Sequence, residues 1–410
     1  MDRKIIEVRI TKKDIVKCLN KIVSTCNLKE FSFEKNYFKL ILSKECNDAS
    51  EELILRAFRK CINSYNISQH NVITHRPIFF IDKRTNIPLI GSSYFGIIDR
   101  GNTLLQIRPI TGCYLNCIYC SVDEGPISHT RVLDYMIDRK YLVEVFRNIV
   151  EYKKSENIEA HIDGQGEPTT YPYIIDLIKD LRNTDNVSVI SMQTNGVTLS
   201  RKFIDNLINA GLDRLNVSIN AINNETAKTM ANVRNYNINV ILENLKYANE
   251  QGLHILIAPV WINKFNDKDI EEIIEFAKKY IKPVGPWPVL GIQKYEVYRY
   301  GRKVKSYKEI PYNVFYKQLK LLEIKHKIKP LILNKQHFGI TKAKRLPLMF
   351  KKYEIVDIDF SFPGRFNDEI MGVARDRVIH IRKVDPKKLT KIRKVRILHT
   401  RHNIYFARAA

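Results

Sequence analysis

The three cysteines at 113–120 constrain this chain more than any other feature of its sequence. Cys113, Cys117 and Cys120 are separated by three and two residues, so their thiolates can surround one iron–sulfur cluster. A four-iron cluster normally takes four thiolates, and no cysteine follows Cys120 in the sequence. One iron is then left for a ligand from outside the protein, which implies redox chemistry on a bound small molecule. The alternative is a zinc knuckle, although zinc sites usually supply four ligands in two pairs.

The other cysteines and the composition indicate a soluble protein of a reducing compartment. Seven cysteines in 410 residues, three of them clustered, are not typical of a disulfide scaffold. Cys18, Cys26, Cys46 and Cys61 follow one another at irregular gaps. Cys18 and Cys61 fall within helical patterns, where a small buried thiol is the usual explanation, and a second metal site is the alternative. No stretch approaches the roughly 20 apolar residues of a membrane helix, and the first residues lack a signal-peptide core. We therefore predict a cytoplasmic protein without membrane contact, of undetermined oligomeric state.

Positive charge is concentrated in the last part of the chain. Residues 294–410 contain 30 Lys and Arg against 10 Asp and Glu, which accounts for +20 of the net charge of +24. A basic region of this kind is typical of a protein that binds a polyanion. We favour nucleic acid over a lysine-rich coding bias, because bias raises lysine evenly. An anionic membrane surface is the third alternative, but no amphipathic basic helix stands out.

The pattern of apolar residues divides the chain into five regions. These are a small α+β domain (1–75), a connector (76–103), an α/β region (104–297), a basic helical linker (298–349) and an all-β region (350–410). The first region has predicted helices at 12–23 and 51–63. The α/β region has predicted strands at 104–109, 158–163, 187–193, 214–220, 254–260 and 287–297. Strands that alternate with helices require a parallel sheet with helices outside it, and five short strands at the end predict a small closed barrel.

Short polar motifs follow the predicted strands of the α/β region. DGQGEP ends the second strand at 163–168, QTNG the third at 193–196, NVSIN the fourth at 216–220 and APV the fifth at 258–260. With the cysteine spacing, these motifs resemble the radical S-adenosylmethionine (SAM) superfamily; Gln165 departs from it by separating the two glycines. The resemblance implies a partial (β/α)6 barrel, a [4Fe–4S] cluster held by Cys113, Cys117 and Cys120, bound SAM, and an electron donor such as ferredoxin or flavodoxin.

The same resemblance implies which residues contact SAM. They are Gly166, Glu167 and Pro168 for its ammonium group, Asn195, Ser218 and Asn220 for its ribose, and Tyr119, Pro259 and Val260 for its adenine. The glycines allow close backbone approach, and the Glu167 carboxylate would accept a hydrogen bond from the ammonium group. The alternative for 163–168 is an ordinary tight turn.

Two further groups of residues are candidates for substrate contact. Asp123, Glu124, Arg131, His161 and Asp163 lie near the ends of strands in the sequence, although His161 can equally be packed inside the barrel. Aromatic rings alternate with cations in the series Tyr295, Tyr298, Arg299, Tyr300, Arg302, Lys303 and Lys305. This alternation is typical of RNA grooves, and a solvated basic face is the alternative.

The all-β region resembles a TRAM domain, an OB-like RNA-binding barrel. The likeness lies in GRFNDE at 364–369, GVARDRVI at 372–379 and KVRILHT at 394–400, while Lys352 and Tyr353 stand where a glycine is common. The resemblance implies that RNA, and tRNA first, is the partner. The candidate RNA contacts are Arg375, Arg377, Arg396 and Arg401.

These features together predict an enzyme that cleaves SAM reductively and modifies an unactivated carbon of a tRNA nucleoside near the anticodon. The domain order resembles tRNA methylthiotransferases, but the front region is short and its cysteines are irregularly spaced, so sulfur insertion is not predicted. One alternative is a radical SAM enzyme that acts on a protein or small metabolite. The other is an RNA-binding protein with a structural cluster.

Overall fold

The structure is a computed structural model that describes residues 6–8, 28–34, 37–42, 69–305, 307–389 and 392–410. The chain divides into two compact units, Met1–Val72 and Ile73–Ala410.

The first unit contains four described strands, which pair in twos. They are β1 (Ile6–Val8), β2 (Leu28–Glu34), β3 (Tyr37–Leu42) and β4 (Gln69–Asn71). β1 pairs with β4 and β2 with β3, both antiparallel. The predicted helices at 12–23 and 51–63, and all four cysteines of this region, lie outside the described residues.

The second unit begins with alternating strands and helices. Its strands up to residue 294 are β5 (Ile78–Ile81), β6 (Gly96–Asp99), β7 (Leu104–Arg108), β8 (Asp134–Ile137), β9 (Ile158–Ile162), β10 (Val187–Thr194), β11 (Arg214–Val217), β12 (His254–Ile257), β13 (Val260–Trp261) and β14 (Gln293–Lys294). Its helices are α1 (Arg139–Lys153), α2 (Ile174–Arg182), α3 (Arg201–Asn209), α4 (Asn224–Ala231), α5 (Ile238–Glu250) and α6 (Asp267–Tyr280). α4 and α5 are separate helices, because Asn232 adopts a left-handed conformation that ends α4 and Asn237 caps α5.

A six-stranded sheet positions the candidate site. Its order is β12-β11-β10-β9-β7-β6, parallel except for β6, which runs antiparallel to β7. The five parallel strands are those predicted from the first five apolar runs, and β11 and β12 are buried along their whole length. Each of these strands is rich in Leu, Ile or Val, although β7 and β11 also carry an arginine and a side-chain amide, and this apolar content made them predictable.

The sixth strand and the connector differ from the prediction. The segment 287–297 runs beside β12 and β13, but it forms regular strand only at Gln293–Lys294. Pro288 has no backbone N–H to donate to a ladder, which explains the short pairing. The sheet is completed instead by Gly96–Asp99, from the segment predicted as a connector. That segment also supplies β5, which pairs in parallel with β8.

The basic segment holds one long described helix, α7 (Tyr312–His326), and leads into a second six-stranded sheet. Its strands are β15 (Ile355–Asp357), β16 (Phe360–Pro363), β17 (Glu369–Ala374), β18 (Arg377–Arg382), β19 (Lys394–His399) and β20 (Tyr405–Ala409). The order is β15-β19-β20-β18-β17-β16, so the two edge strands are consecutive in the chain. The chain bends at 358–359 between these two strands. There the Ile358 N–H donates to the Arg393 carbonyl and the Asp359 N–H donates to the Val373 carbonyl, so the backbone pairing of each edge strand extends to the bend.

This second sheet has its own apolar core and belongs to the same compact unit as the first. Phe350, Ile370, Ile381, Val395 and Tyr405 are among its fully buried side chains. Five strands were predicted and six are present, because the chain bends at 358–359 between β15, which pairs with β19, and β16, which pairs with β17. The TRAM resemblance itself stays a prediction.

Candidate active site

The cysteine loop follows β7 and is fixed to the loop that follows β9. Gly112 pairs with Gly166 in a parallel bridge, and Glu167 donates its N–H to the Gly112 carbonyl over 2.7 Å. A Cβ at Gly166 would lie 2.1 Å from the Gly112 oxygen, and its φ is +150°. Only glycine permits this approach, so the second glycine of the DGQGEP motif joins the two loops.

The three loop cysteines line one cavity of about 330 Å³. Burial raises the pKa of Cys113 and Cys120, and it raises the pKa of Cys117 to about 12. Backbone N–H groups of Leu115 and Glu124 point at the sulfurs of Cys113 and Cys120, over 3.4 and 3.3 Å. Thiols this buried become thiolates when a metal centre neutralises them, and N–H donors to sulfur are typical of iron–sulfur sites. The donor set and the room beside it therefore fit the cluster that the sequence predicts.

Among the residues that the structure describes, no three His, Cys, Asp or Glu side chains are arranged to hold one metal ion. The three thiols share the cavity without meeting at a single point.

Most of the predicted SAM contacts line this cavity. They are Tyr119, Gly166, Glu167, Pro168, Asn195, Ser218 and Val260. Asn220 lies beside it, in a recess of about 20 Å³ that also contains Tyr119 and Ser218. Pro259 is not part of the lining; its carbonyl accepts a hydrogen bond from Gln293.

Glu167 is buried and already has several hydrogen-bond donors. Its Oε1 accepts from the Thr194 hydroxyl and from the hydroxyl and N–H of Thr169, and its Oε2 accepts from the Asn195 N–H at 2.8 Å. Burial raises the pKa of Glu167, and these hydrogen bonds oppose the rise. The carboxylate thus joins the ends of β9 and β10, and Oε2 keeps the capacity to accept one more donor.

The amide of Asn220 is committed within the protein. It donates to Tyr119 Oη over 2.5 Å and accepts from the Val260 N–H over 2.7 Å. Asn195 donates to Cys113 Sγ over 3.5 Å, and Ser218 Oγ accepts from Gln193. Of the three predicted ribose contacts, Asn195 and Ser218 therefore line the cavity, while Asn220 holds Tyr119 in place.

Arg302, predicted to contact RNA, instead binds the cysteine loop. Its guanidinium donates to the carbonyls of Cys117 and Glu124 over 3.1 and 2.6 Å and lies 2.9 Å from Asp123 Oδ1. Its own N–H donates to the Cys120 carbonyl over 2.8 Å. The sequence carried no signal for this contact, because 185 positions separate Arg302 from Cys117.

A buried ion cluster joins the cysteine loop to the C-terminal sheet. Glu124, whose N–H points at Cys120, places its carboxylate 2.5 Å from Arg365 and 2.9 Å from Arg76. Both arginines also reach Asp134 over 3.0 Å. Glu124 was predicted to touch substrate, but its carboxylate belongs to this cluster. Arg131 likewise donates to the Val122 carbonyl and stacks on Phe366.

His161 and Asp163 have partners inside the barrel. His161 Nδ1 lies 2.7 Å from Ser191 Oγ, which donates to Glu159, the partner of Arg214. Asp163 accepts from Arg108 and from Gln106. The interior alternative for His161 thus describes its surroundings in the structure.

The segment 293–298 completes the cavity wall, and sequence reasoning recognised only its two tyrosines. Lys294, Tyr295, Glu296 and Tyr298 all line the cavity. The Glu296 carboxylate accepts from the hydroxyls of Tyr298 and Tyr312, and these bonds lower the pKa of Glu296. Tyr298 is 48% exposed, so its ring is open at the edge of the site.

The four predicted RNA contacts lie in different environments. Arg396 and Arg401 are exposed, while Arg375 is ion-paired with Glu354 over 2.8 Å. Arg377 is buried, so it does not face solvent as an RNA contact would. The sequence pattern predicted that Arg377 lies on a strand, but it did not show that both faces of β18 are buried.

In the described part of the chain, no helix combines the length and apolar character needed to cross a membrane.

Comparison with known proteins adds four findings. The model of the radical SAM superfamily matches residues 107–277. The chain is 40% identical over 364 residues to the uncharacterized protein MJ0103 of Methanocaldococcus jannaschii, which covers 84% of each chain. It is 33% identical over 176 residues to a GTP 3′,8-cyclase of Petrotoga mobilis, covering 42% of this chain and about half of that enzyme. The solved structure of native anSMEcpe with bound AdoMet is 18% identical and covers 56% of this chain and 63% of that one, with a TM-score of 0.42.

Proposed function

Since residues 107–277 of this chain match the radical SAM superfamily, we propose that the chain modifies an unactivated carbon of an RNA nucleoside, in tRNA near the anticodon. Its cofactors are a [4Fe–4S] cluster and SAM. When bound, they supply a 5′-deoxyadenosyl radical, which removes a hydrogen atom from a carbon that acids and bases do not activate.

The chain's own residues hold and orient these groups. The cluster ligands are Cys113, Cys117 and Cys120, and Arg302 holds the backbone of the loop that carries them. Asn195 and Ser218 face the cavity with polar groups for SAM, and Gly166 leaves room beside the loop. The cavity between the thiols and segment 293–298 would take the SAM molecule and the reacting part of the substrate.

The observation that carries the RNA proposal is that the basic C-terminal region, residues 294–410, lies against the cavity. Segment 293–298 lines the cavity and begins the region with a net charge of +20. The C-terminal sheet of the same region reaches the cysteine loop through Arg365 and Glu124. A polyanion on this surface would lie next to the cavity, and Tyr298 offers an open ring for a base to stack on.

A small nucleotide is the second candidate substrate. The GTP 3′,8-cyclase relatives favour it, since the activity in their name concerns a nucleotide. This chain spans about half of their length, however, so their activity is not carried over.

Nucleoside mass spectrometry tests the proposal. Total tRNA from cells with the gene, without it, and with Cys117→Ala should be digested and compared. We expect a mass change at one nucleoside that only the intact gene produces. The reconstituted protein should form 5′-deoxyadenosine faster when unmodified tRNA is added. Stimulation by GTP and not by tRNA, with no change in any nucleoside, would favour the nucleotide candidate instead.

A further inference from the structure

A second cleft, of about 440 Å³, lies between the end of the basic linker and the β19–β20 turn. Its polar lining is Arg345, Lys352, His399, Thr400, Arg401 and His402, with Leu348 and Leu398 beside them. The residues that the structure places around this cleft thus include three cations and no carboxylate. None of the candidate residues for SAM lines it.

The turn that shapes the cleft is held in an unusual conformation. His402 and Asn403 both have positive φ, +60° and +56°, although neither is glycine. Asn403 is buried; its amide donates to the Leu346 carbonyl over 3.1 Å and accepts from the Tyr405 hydroxyl. Two consecutive left-handed residues cost free energy, and they persist because these contacts fix them. The cleft is therefore formed in advance of any ligand.

The charges around His402 repel one another. Burial lowers the pKa of His402, and the charges of Arg100, Arg401 and Arg345 lower it further. Its Nδ1 is shielded from solvent and has no described hydrogen-bond partner. Among the described residues, neither Arg345, Lys352 nor Arg401 pairs with a carboxylate. An anion in the cleft would relieve this repulsion and supply the missing partner.

We propose that this cleft binds a phosphate of the RNA backbone. Arg345, Lys352 and Arg401 provide the charge, and the Thr400 hydroxyl provides a neutral donor. Leu348, which is 50% exposed, lies beside the charged groups and fits the apolar edge of a ribose. This assignment rests on the proposed RNA substrate and adds to it a defined subsite outside the catalytic cavity.

Matched charge variants of the full-length protein test the subsite. Lys352→Gln with Arg401→Gln removes two charges from the cleft. Lys394→Gln with Arg408→Gln removes two exposed charges from the far end of the same hairpin. Binding of fluorescent tRNA should be measured by anisotropy over a series of salt concentrations, after equal melting temperatures show that both variants fold. We expect the cleft variant to lose at least about tenfold in affinity and its salt slope to fall by about two, with a smaller change in the control.

The outcomes separate this proposal from the proposed function. Equal losses in the two double variants, with tRNA binding by the wild type, would overturn the subsite and leave the RNA substrate standing. No tRNA binding by the wild type would overturn both. Competition by inorganic phosphate or GTP provides the last arm: if either binds the wild type but not the cleft variant, while tRNA affinity is the same in both, the cleft takes a free phosphate group and the RNA assignment is wrong.

Discussion

Arg302 connects the basic C-terminal region, residues 294–410, to the cysteine loop through a single guanidinium group. It contacts the backbone of Cys117 and Glu124 and the carboxylate of Asp123. Hydrogen bonds from a charged group contribute about 1.5–3 kcal/mol each. The loop that carries the thiolates is thus positioned by a residue far away in the sequence, and a change there should be felt at the cluster.

We predict that Arg302→Met lowers iron retention while Arg299→Met does not. Arg299 is exposed and stacks on its neighbour Tyr300, so it is a control of the same residue type. After anaerobic reconstitution, the wild type and the control should hold about four irons per chain, and the Arg302 variant less than half of that. A full iron complement in Arg302→Met would show that the loop keeps its shape without the guanidinium.

A variant of Glu167 tests whether this residue positions the surrounding loops, contacts SAM, or does both. Its carboxylate joins Thr169, Thr194 and the Asn195 backbone, so Glu167→Ala leaves buried donors without an acceptor, each costing about 1–3 kcal/mol. We predict a lower melting temperature and SAM affinity reduced by about one to two decades, because Asn195 shifts and one free acceptor site is lost. Thermal unfolding and equilibrium binding measure the two effects. If the melting temperature falls and SAM affinity does not, Glu167 only positions the loop.

At the scale of elements, the sequence predicted the parallel strands better than their surroundings. β7 and β9 to β12 are each rich in Leu, Ile or Val, and the strand-end motifs followed from the order of the elements. The edge strand Gly96–Asp99 was not predicted, because residues typical of turns lie on both sides of it. Arg365 could not be found from its neighbours in sequence, since its partners Glu124 and Asp134 lie more than 230 positions away. Contacts with partners this distant in the sequence, such as those of Arg302 and Arg365, were not predicted.

We predict that Arg365→Met destabilises the protein strongly and that Arg375→Met does not. Arg365 is fully buried between two carboxylates, and removal of one partner of a buried pair costs about 3–5 kcal/mol. Arg375 pairs with Glu354 at the surface, where an ion pair contributes about 0–1 kcal/mol. Urea unfolding at neutral pH should show the difference, and similar stabilities for the two variants would mean that the buried cluster does not hold the C-terminal sheet.

The whole second unit therefore acts as one body, which changes the sequence-based view of the tail. The sequence pattern set residues 350–410 apart as an all-β region of their own. The structure places Arg365 of that region against Glu124 of the cysteine loop, within one compact unit from Ile73 to Ala410. Deletion of the tail would expose an apolar face and remove Arg365 from two buried carboxylates. Point variants on the surface are the better way to separate RNA binding from SAM cleavage.

Two buried histidines make the stability of this unit depend on pH. His254 Nδ1 accepts from the Val284 N–H while Nε2 faces the Pro288 carbonyl, and His380 Nε2 accepts from the Ser93 N–H, so both rings are neutral. Burial lowers the pKa of both rings, and the charge of Arg382 lowers that of His380 against the opposing effect of Glu369.

Because the folded pKa lies below the unfolded value of about 6.5, the unfolded chain binds more protons as the pH falls, and stability is lost below that value. Each histidine contributes a slope of up to about 1.4 kcal/mol per pH unit. Glu369 titrates only at lower pH, since burial raises its pKa but the hydrogen bond and charge of His380 and the charge of Arg382 lower it overall. We expect the free energy of unfolding in urea to fall between pH 7 and pH 5.5. His380→Asn should lower stability throughout but flatten this slope, whereas the exposed control His399→Asn should keep the wild-type slope. An unchanged slope in His380→Asn would show that this ring is protonated in the folded protein as readily as in the unfolded chain.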